Sequence, residues 1–315
     1  MRKIALATSQ EYSELSRDDK NVLNKLLDWG VDVEPIVWDT KDIAWNQYDA
    51  VFIRSCWDYH LRYDDFFKWI ERLAQREVAI FNPPETLRWN STKTYLKEMA
   101  EKGVDVIPTV WKTREDSIDL EQIIQENSWE RAVVKPVVSA NANETWISNA
   151  DSPEENRQRI AAMFEKHGTI MIQKYLEQIV KRGEWAFIFF DNVYSHSVLK
   201  RPGQGDFRVQ EDHGGAIRSK KPPRHLIEQA QKVISQTPSG CLYARVDGVE
   251  VNNKLWLMEL ELIEPSLYLK YHPKAPERFA EAILRRMNAL HSMEAQTRPL
   301  SANGAPEISG VQIGD

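Results

Sequence analysis

The sequence has few of the residues and runs that mark several classes of protein. It contains two cysteines in 315 residues, Cys56 and Cys241, with no CxxC spacing and no paired histidines. We therefore expect neither a disulfide scaffold nor a zinc site, and a reducing cytoplasm is the default location. No apolar run approaches the roughly 20 residues that span a bilayer. The run IALA at residues 4–7 is too short for a signal peptide.

Excess positive charge and phosphate-binding glycine motifs are also missing. The 41 basic and 47 acidic residues give a net charge of −6, whereas non-specific nucleic-acid binding needs a basic surface. Neither GxxxxGK[ST] nor GxGxxG follows the first strand, which disfavours a P-loop or Rossmann nucleotide site. What remains is an ordinary globular composition in a chain long enough for two or three packed units.

The first third of the chain alternates strand and helix signals. Short apolar runs at 3–8 and 48–55 are typical of strands, and residues 18–29 form an amphipathic pattern that ends at Gly30. Strands separated by helices predict a doubly wound parallel sheet. The sequence GVDVEPIVW at Gly30 recurs as GVDVIPTVW at Gly103, which predicts one helix–glycine–strand turn used twice.

The later segments differ in character. Residues 112–176 form a second α+β stretch, residues 184–269 are rich in strand signals, and 276–291 have helical spacing. The final residues, 292–315, lack periodicity and are predicted to form a disordered tail.

The run WLMELELIEPSLYL at 256–269 places two glutamates in an apolar strand. Glu259 and Glu261 are two residues apart and share a face, with Met258 expected on the reverse face and Leu257 beside them. A buried carboxylate is costly unless a cation lies close to it. The segment alone fits either a half-exposed strand or a cation site.

Two basic stretches are candidates for phosphate binding. Lys135 ends the apolar strand VVKP before a small, polar loop at 139–144, where lysine and backbone N–H groups suit phosphate oxygens. Lys200 and Arg208 lie in a glycine-rich stretch that can surround a transferring phosphoryl group. The alternatives are a lysine that extends to the surface and a solvated basic loop.

The sequence RSCWDYH at 54–60 ends a predicted parallel strand, where open α/β sheets usually bind ligands. Arg54 can clamp a carboxylate, Trp57 and Tyr59 can wall a small pocket, and Asp58 can hold an ammonium group. The alternative is a structural turn whose aromatic side chains cap the core.

Taken in order, these stretches resemble the ATP-grasp superfamily from about residue 48 to residue 283. They are similar to glutathione-synthetase-like and RimK-like ligases, and most similar to the O-ureido-serine cyclo-ligase branch that forms cycloserine. The resemblance implies an α/β (α+β) fold with a parallel-sheet substrate domain at 1–90 and a small α+β lid at 91–176. An antiparallel-sheet subdomain with the metal site would follow at 177–291, before the tail at 292–315.

The resemblance also implies roles for individual residues. Arg208 and Lys200 would act on the transferring phosphoryl group. Asp247, Glu259 and Glu261 would bind Mg²⁺, with Mn²⁺ as an alternative ion. The residues expected to bind ATP are Lys93, Lys135, Gln173, Tyr175, Leu176 and Glu184.

Two departures from the family pattern concern these sites. Glu261 stands where glutathione synthetases have asparagine, and Asn143 and Glu144 stand where a glycine is common. With the lysines and the arginine in the family's order, we favour the cation site over a half-exposed strand.

The implied function is an ATP- and Mg²⁺-dependent ligase that forms C–N bonds. It would activate a carboxylate or ureido carbonyl of an amino-acid-like substrate as an acyl phosphate, which an amine or other nucleophile attacks. The alternatives are a small-molecule kinase on the same fold and a nucleotide-binding regulator without turnover. We expect small-molecule partners, no nucleic acid and no membrane, and leave open whether the chain forms a homodimer.

Overall fold

The computed structural model describes residues 3–116, 118–139, 144–148, 153–203, 208–209, 214–238 and 240–297, and side chains as far as residue 292. The helices are α1 (Asp19–Asp28), α2 (Tyr63–Gln75), α3 (Pro84–Asn90), α4 (Tyr95–Glu101), α5 (Leu120–Glu126), α6 (Pro153–His167), α7 (Glu177–Arg182), α8 (Arg224–Ser235) and α9 (Ala275–Thr297). In the described part of the chain, every helix is too short or too polar to cross a membrane.

Within the described residues, the strands form three sheets of four, four and five strands. The first sheet contains β1 (Lys3–Thr8), β2 (Asp32–Val37), β3 (Ala50–Ile53) and β4 (Ala79–Phe81). The second contains β5 (Thr109–Thr113), β6 (Ala132–Pro136), β7 (Trp146–Ser148) and β8 (Thr169–Lys174). The third contains β9 (Glu184–Phe190), β10 (Val193–Arg201), β11 (Ala216–Ser219), β12 (Tyr243–Val251) and β13 (Lys254–Glu261).

The N-terminal sheet is parallel throughout, in the order β2-β1-β3-β4. Alternate residues of β1 point to opposite faces. One set packs with Val22 and Leu26 of α1, and the other packs with Phe66 and Ile70 of α2. Because helices cover both faces, the predicted doubly wound sheet is confirmed.

The repeated GVDV sequence forms the same turn twice. Gly30 and Gly103 have φ angles of 74° and 76°, a left-handed conformation that favours glycine. In each copy, the residue after the glycine donates to the carbonyl five positions before it, at 3.0 Å. This helix-ending turn leads from α1 to β2 and from α4 towards β5, as the sequence predicts.

The other two sheets are antiparallel. The first has the order β5-β8-β6-β7 and packs against α5 and α6, whereas the second has the order β11-β10-β9-β12-β13. Helix α8 covers one face of the five-stranded sheet, and α9 covers the other, where it also packs against α1. The combination of one parallel and two antiparallel sheets confirms the predicted fold class, while the exact domain boundaries stay a prediction.

Two local expectations were wrong. Asp247 pairs with Glu259 and Gly248 pairs with Leu257, so Met258 is the extra residue of a β-bulge. The bulge turns both Met258 and Glu259 towards the same cleft, whereas Leu257 packs into the core. Helix α9 continues to Thr297 instead of ending at residue 291, and the rest of the predicted tail lies outside the described residues.

Candidate active site

A cleft of ≈ 340 Å³ receives side chains from the two antiparallel sheets and from the segments that follow β1 and β3 of the parallel sheet. Most of the residues that sequence analysis singled out line it, although they come from distant parts of the chain. The predicted residues in the cleft are Trp57, Tyr59, Lys93, Lys135, Gln173, Glu184, Lys200, Arg208, Asp247, Glu259 and Glu261.

Three carboxylates converge at one side of the cleft. Asp247, Glu259 and Glu261 each offer an oxygen within 4.8 Å of the others. Among the described residues, Oδ1 of Asp247 is buried and accepts no hydrogen bond, although it forms an ion pair with Nζ of Lys200 at 3.3 Å. An unsatisfied buried oxygen beside two more carboxylates is a set of hard ligands, which fits Mg²⁺.

Basic side chains balance these acids. Nζ of Lys93 lies 2.9 Å from Oε1 of Glu259. Arg245 donates from Nε to Oδ2 of Asp247 at 2.9 Å and also pairs with Glu261. Sequence analysis missed Arg245. The signal was present, because Arg245 lies two residues before Asp247 on β12 and so shares its face.

The surrounding charges separate the two glutamates in pKa. Burial would raise the pKa of Glu259, but the ammonium groups of Lys93 and Lys135 outweigh it and hold the value at about 2. Burial and the neighbouring carboxylates raise the pKa of Glu261 to about 7, against the opposing charge of Arg245. At neutral pH Glu259 is therefore fully ionised, whereas Glu261 is only partly ionised.

The residues predicted to bind ATP are only partly brought together. Lys135 is half-buried in the cleft wall, and desolvation lowers its pKa to about 8. Glu184 is buried and paired with Lys200. Of the six residues predicted to bind ATP, Tyr175 and Leu176 do not line the cleft. Tyr175 stacks on the Arg131 guanidinium, which lies 4.0 Å from the ring centre, and Leu176 packs in a small core.

The loop after Lys135 is described only at its ends. Residues 140–143, including Asn143, lie outside the described residues. The carbonyl of Ser139 accepts a hydrogen bond from Nζ of Lys93 at 2.8 Å, and Glu144 pairs with Lys166 and His167. The phosphate binding predicted for this loop stays a prediction.

The predicted substrate turn is divided. Trp57 and Tyr59 line the cleft, but Arg54 and Asp58 do not. Arg54 is 1% exposed and forms an ion pair with Asp19 at 2.9 Å. Asp58 accepts from Nε1 of Trp38 at 3.0 Å and pairs with an arginine of the following turn. The geometry therefore does not support the substrate contacts predicted for Arg54 and Asp58.

Arg54 instead helps to hold residues 263–268, which we call the tethered segment. Each carbonyl of this segment lies within hydrogen-bonding distance of a donor side chain from elsewhere in the chain. In order from residue 263 the donors are Tyr243 (3.0 Å), Trp57 (3.0 Å), Arg54 (2.9 Å), Arg245 (3.1 Å) and, for the last two carbonyls, His196 (3.0 and 3.2 Å). The tethered segment includes cleft residues Glu264, Ser266 and Tyr268, so these donors fix one wall of the site.

Comparison with solved structures identifies the fold. The D-alanine–D-alanine ligase from Bacillus anthracis, solved with ATP, superimposes with a TM-score of 0.67 at 14% identity, covering 93% of this chain and 100% of that chain. The ATP-grasp ligase PsnB, solved with a precursor variant, Mg and ADP, gives a TM-score of 0.62 at 14% identity, covering 91% and 99%. The shared fold is that of ATP-grasp ligases.

A more specific likeness is to an enzyme of cycloserine synthesis. Residues 4–82 match the family described as D-cycloserine synthetase DcsG, N-terminal domain. The cycloserine biosynthesis protein DcsG of Streptomyces lavendulae is 25% identical over 295 residues, which cover 90% of this chain and 98% of that protein. The crystal structure of D-cycloserine synthetase DcsG gives a TM-score of 0.81 at 24% identity, covering 90% of this chain and 99% of that chain.

These comparisons confirm the predicted resemblance to ATP-grasp ligases and, within them, to the cycloserine branch. The chain therefore has the fold of the ATP-grasp ligases.

Proposed function

We propose that this protein is a ligase that binds ATP and Mg²⁺ in the cleft and activates a carboxylate or ureido carbonyl of an amino-acid-like substrate as an acyl phosphate. An amine or another nucleophile then attacks the activated carbon, and ADP and phosphate are released. The observation that carries the proposal is the unsatisfied Oδ1 of Asp247, which lies beside two further carboxylates and within reach of several buried cations.

The three carboxylates would hold the metal ion. Asp247, Glu259 and Glu261 supply oxygen ligands, and the bound ion would neutralise charge on the triphosphate. Glu259 suits this role best, because its low pKa keeps it ionised at neutral pH. The apolar side chains around the acids lower the local dielectric and strengthen their attraction for a cation.

Lysine and arginine side chains would position the phosphates. Lys93 and Lys135 bring two ammonium groups into one cleft, and with a pKa of about 8 Lys135 stays mainly protonated at pH 7. Arg208 lines the same cleft and would neutralise the phosphoryl group during transfer. Glu184 would accept hydrogen bonds from the ribose hydroxyls. Catalysis would then consist mostly of positioning and charge neutralisation.

The likeness to DcsG supports an amino-acid-like substrate. Cycloserine synthesis is the activity in that protein's name, so O-ureido-serine is the first compound to test here. Aromatic side chains from the predicted substrate turn, Trp57 and Tyr59, form part of the cleft wall where such a small substrate would lie.

The test is ADP release with O-ureido-serine and a panel of free amino acids, each with and without hydroxylamine. We expect ADP release that depends on one substrate, and a hydroxamate when hydroxylamine is present, because hydroxylamine traps an acyl phosphate. A stable phosphorylated product without hydroxamate would favour the kinase. Tight ATP binding without ADP release for any compound would instead indicate a regulatory protein.

A further inference from the structure

One buried acid in the cleft has no role in the proposed phosphoryl transfer. Glu264 is 8% exposed and lines the cleft. Its carboxylate accepts a hydrogen bond from its own backbone N–H. Among the described residues, no lysine, arginine or histidine forms an ion pair with it. The charge of Arg245 acts on Glu264 only from a distance. A carboxylate that is buried in a ligand cleft without an ion-pair partner favours a ligand that brings a positive charge.

The positions of the acids argue against Glu264 as a further ligand of the metal ion. The oxygens that converge within 4.8 Å belong to Asp247, Glu259 and Glu261, and Glu264 is not among them. Burial, with added repulsion from Glu261, raises the pKa of Glu264 to about 8. A cation bound at Glu264 would offset both the burial and the repulsion.

The side chains around Glu264 suit an organic ammonium group. Tyr12, Trp57 and Tyr59 line the same cleft, and the rings of Tyr12 and Trp57 meet edge to face with centres 4.6 Å apart. Aromatic faces attract alkylammonium groups, which makes a carboxylate among aromatic rings a selective site for them. Trp57 is also directly linked to this position, since its Nε1 donates to the Glu264 carbonyl at 3.0 Å.

The backbone of Glu264 is held firmly. It lies within the tethered segment, where the carbonyls of residues 263, 264 and 265 accept from Tyr243, Trp57 and Arg54. A carboxylate on a fixed backbone can hold a small ligand in one orientation. The sequence analysis expected Asp58 to bind an ammonium group, but Asp58 lies outside the cleft. Glu264, more than 200 positions later, is the acid that is placed for this role.

We infer that Glu264 binds the ammonium group of the amino-acid-like substrate, so that a free amine is a requirement for substrate binding. This inference rests on the proposed function, because it assigns the substrate side of the same cleft. A charge-assisted hydrogen bond of this kind corresponds to about a 10- to 100-fold difference in affinity.

The test compares O-ureido-serine, in both enantiomers, with the same acid lacking the amino group. Calorimetry in the presence of Mg²⁺ and a non-hydrolysable ATP analogue gives the affinities without requiring turnover. The wild-type chain should bind one enantiomer about 10- to 100-fold more tightly than the deamino acid. Glu264→Gln should remove this preference while leaving the affinity for the deamino acid unchanged. Glu264→Asp, which keeps the charge, should retain part of it.

Three results would overturn the inference. A wild-type chain that shows no preference for the amine would do so, and so would a Glu264→Gln variant that keeps it. Equal weakening of both compounds in Glu264→Gln would show a structural role instead. The matched control is Glu250→Gln, on β12 outside the cleft, which should bind like wild type. Preferential amine binding without any ADP release would leave the assignment standing and refute the proposed ligase function.

Discussion

Replacement of Arg54 by methionine should destabilise the protein strongly, although this residue does not face the cleft. Its guanidinium is fully buried, pairs with Asp19 at 2.9 Å and donates to the carbonyl of Pro265 at 2.9 Å. Removing one member of a buried ion pair costs about 3–5 kcal/mol, and an unsatisfied buried carbonyl adds about 1–3 kcal/mol. Because two serine hydroxyls still bond to Asp19, we expect a total loss of about 4–6 kcal/mol.

Urea unfolding followed by tryptophan fluorescence measures this loss. Arg54→Met/Asp19→Asn should recover part of it, because no uncompensated charge is then buried. The matched control is Arg88→Met, which breaks an exposed pair with Glu71 and should cost about 0–1 kcal/mol. The reasoning fails if Arg54→Met costs less than about 1 kcal/mol, or if the double variant is no more stable than the single one.

Four further outcomes test the site and the scaffold. Asp247→Asn or Glu259→Ala should lower ADP release about a hundredfold or more with an unchanged circular dichroism spectrum; near-normal turnover in Mg²⁺ would contradict the metal site. Lys135→Ala should weaken ATP binding about tenfold or more, and an unchanged affinity in calorimetry would refute its phosphate contact. Arg208→Ala should lower kcat more than it raises KM, whereas a change in KM alone would place it in ground-state binding. Burial lowers the pKa of His196 to about 4, so the unfolded chain, with a histidine pKa of about 6.5, binds more protons between these values. Stability should therefore fall by about 3 kcal/mol as the pH drops from about 6.5 to about 4; His196→Gln should flatten the profile, and an equally steep one would refute the assignment.

Features set by neighbouring residues could be predicted from the sequence. The strands and helices of the N-terminal sheet follow local hydrophobic spacing, and the structure has them nearly where that spacing indicates. The pairing of Glu259 with Glu261 was also visible, since both lie on the same side of the bulge and keep the two-residue period. The position of Leu257 relative to these glutamates could not be predicted. The extra residue Met258 reverses the alternation of side chains, and this bulge is visible only from the pairing of the strands.

Features set by distant residues could not be predicted. Arg54 has the chemistry of a carboxylate clamp, but its partners Asp19 and Pro265 lie 35 and 211 positions away. The sequence around Arg54 does not indicate that Asp19 and Pro265, and not a substrate carboxylate, bind its guanidinium. The same applies to Glu264, whose importance depends on its having no ion-pair partner among the described residues. Arg245 differs, because its spacing from Asp247 could have identified it.

The tethered segment separates the task of holding the chain from the task of contacting a ligand. Its carbonyls accept hydrogen bonds from side chains that lie elsewhere, so these hydrogen bonds do not depend on the side chains at 264, 266 and 268. Exchanges at these positions could alter which small molecule is accepted while the backbone stays still. An enzyme built in this way offers a short series of neighbouring positions at which selectivity can be redesigned, whereas the remote donors, Arg54 among them, tolerate little change.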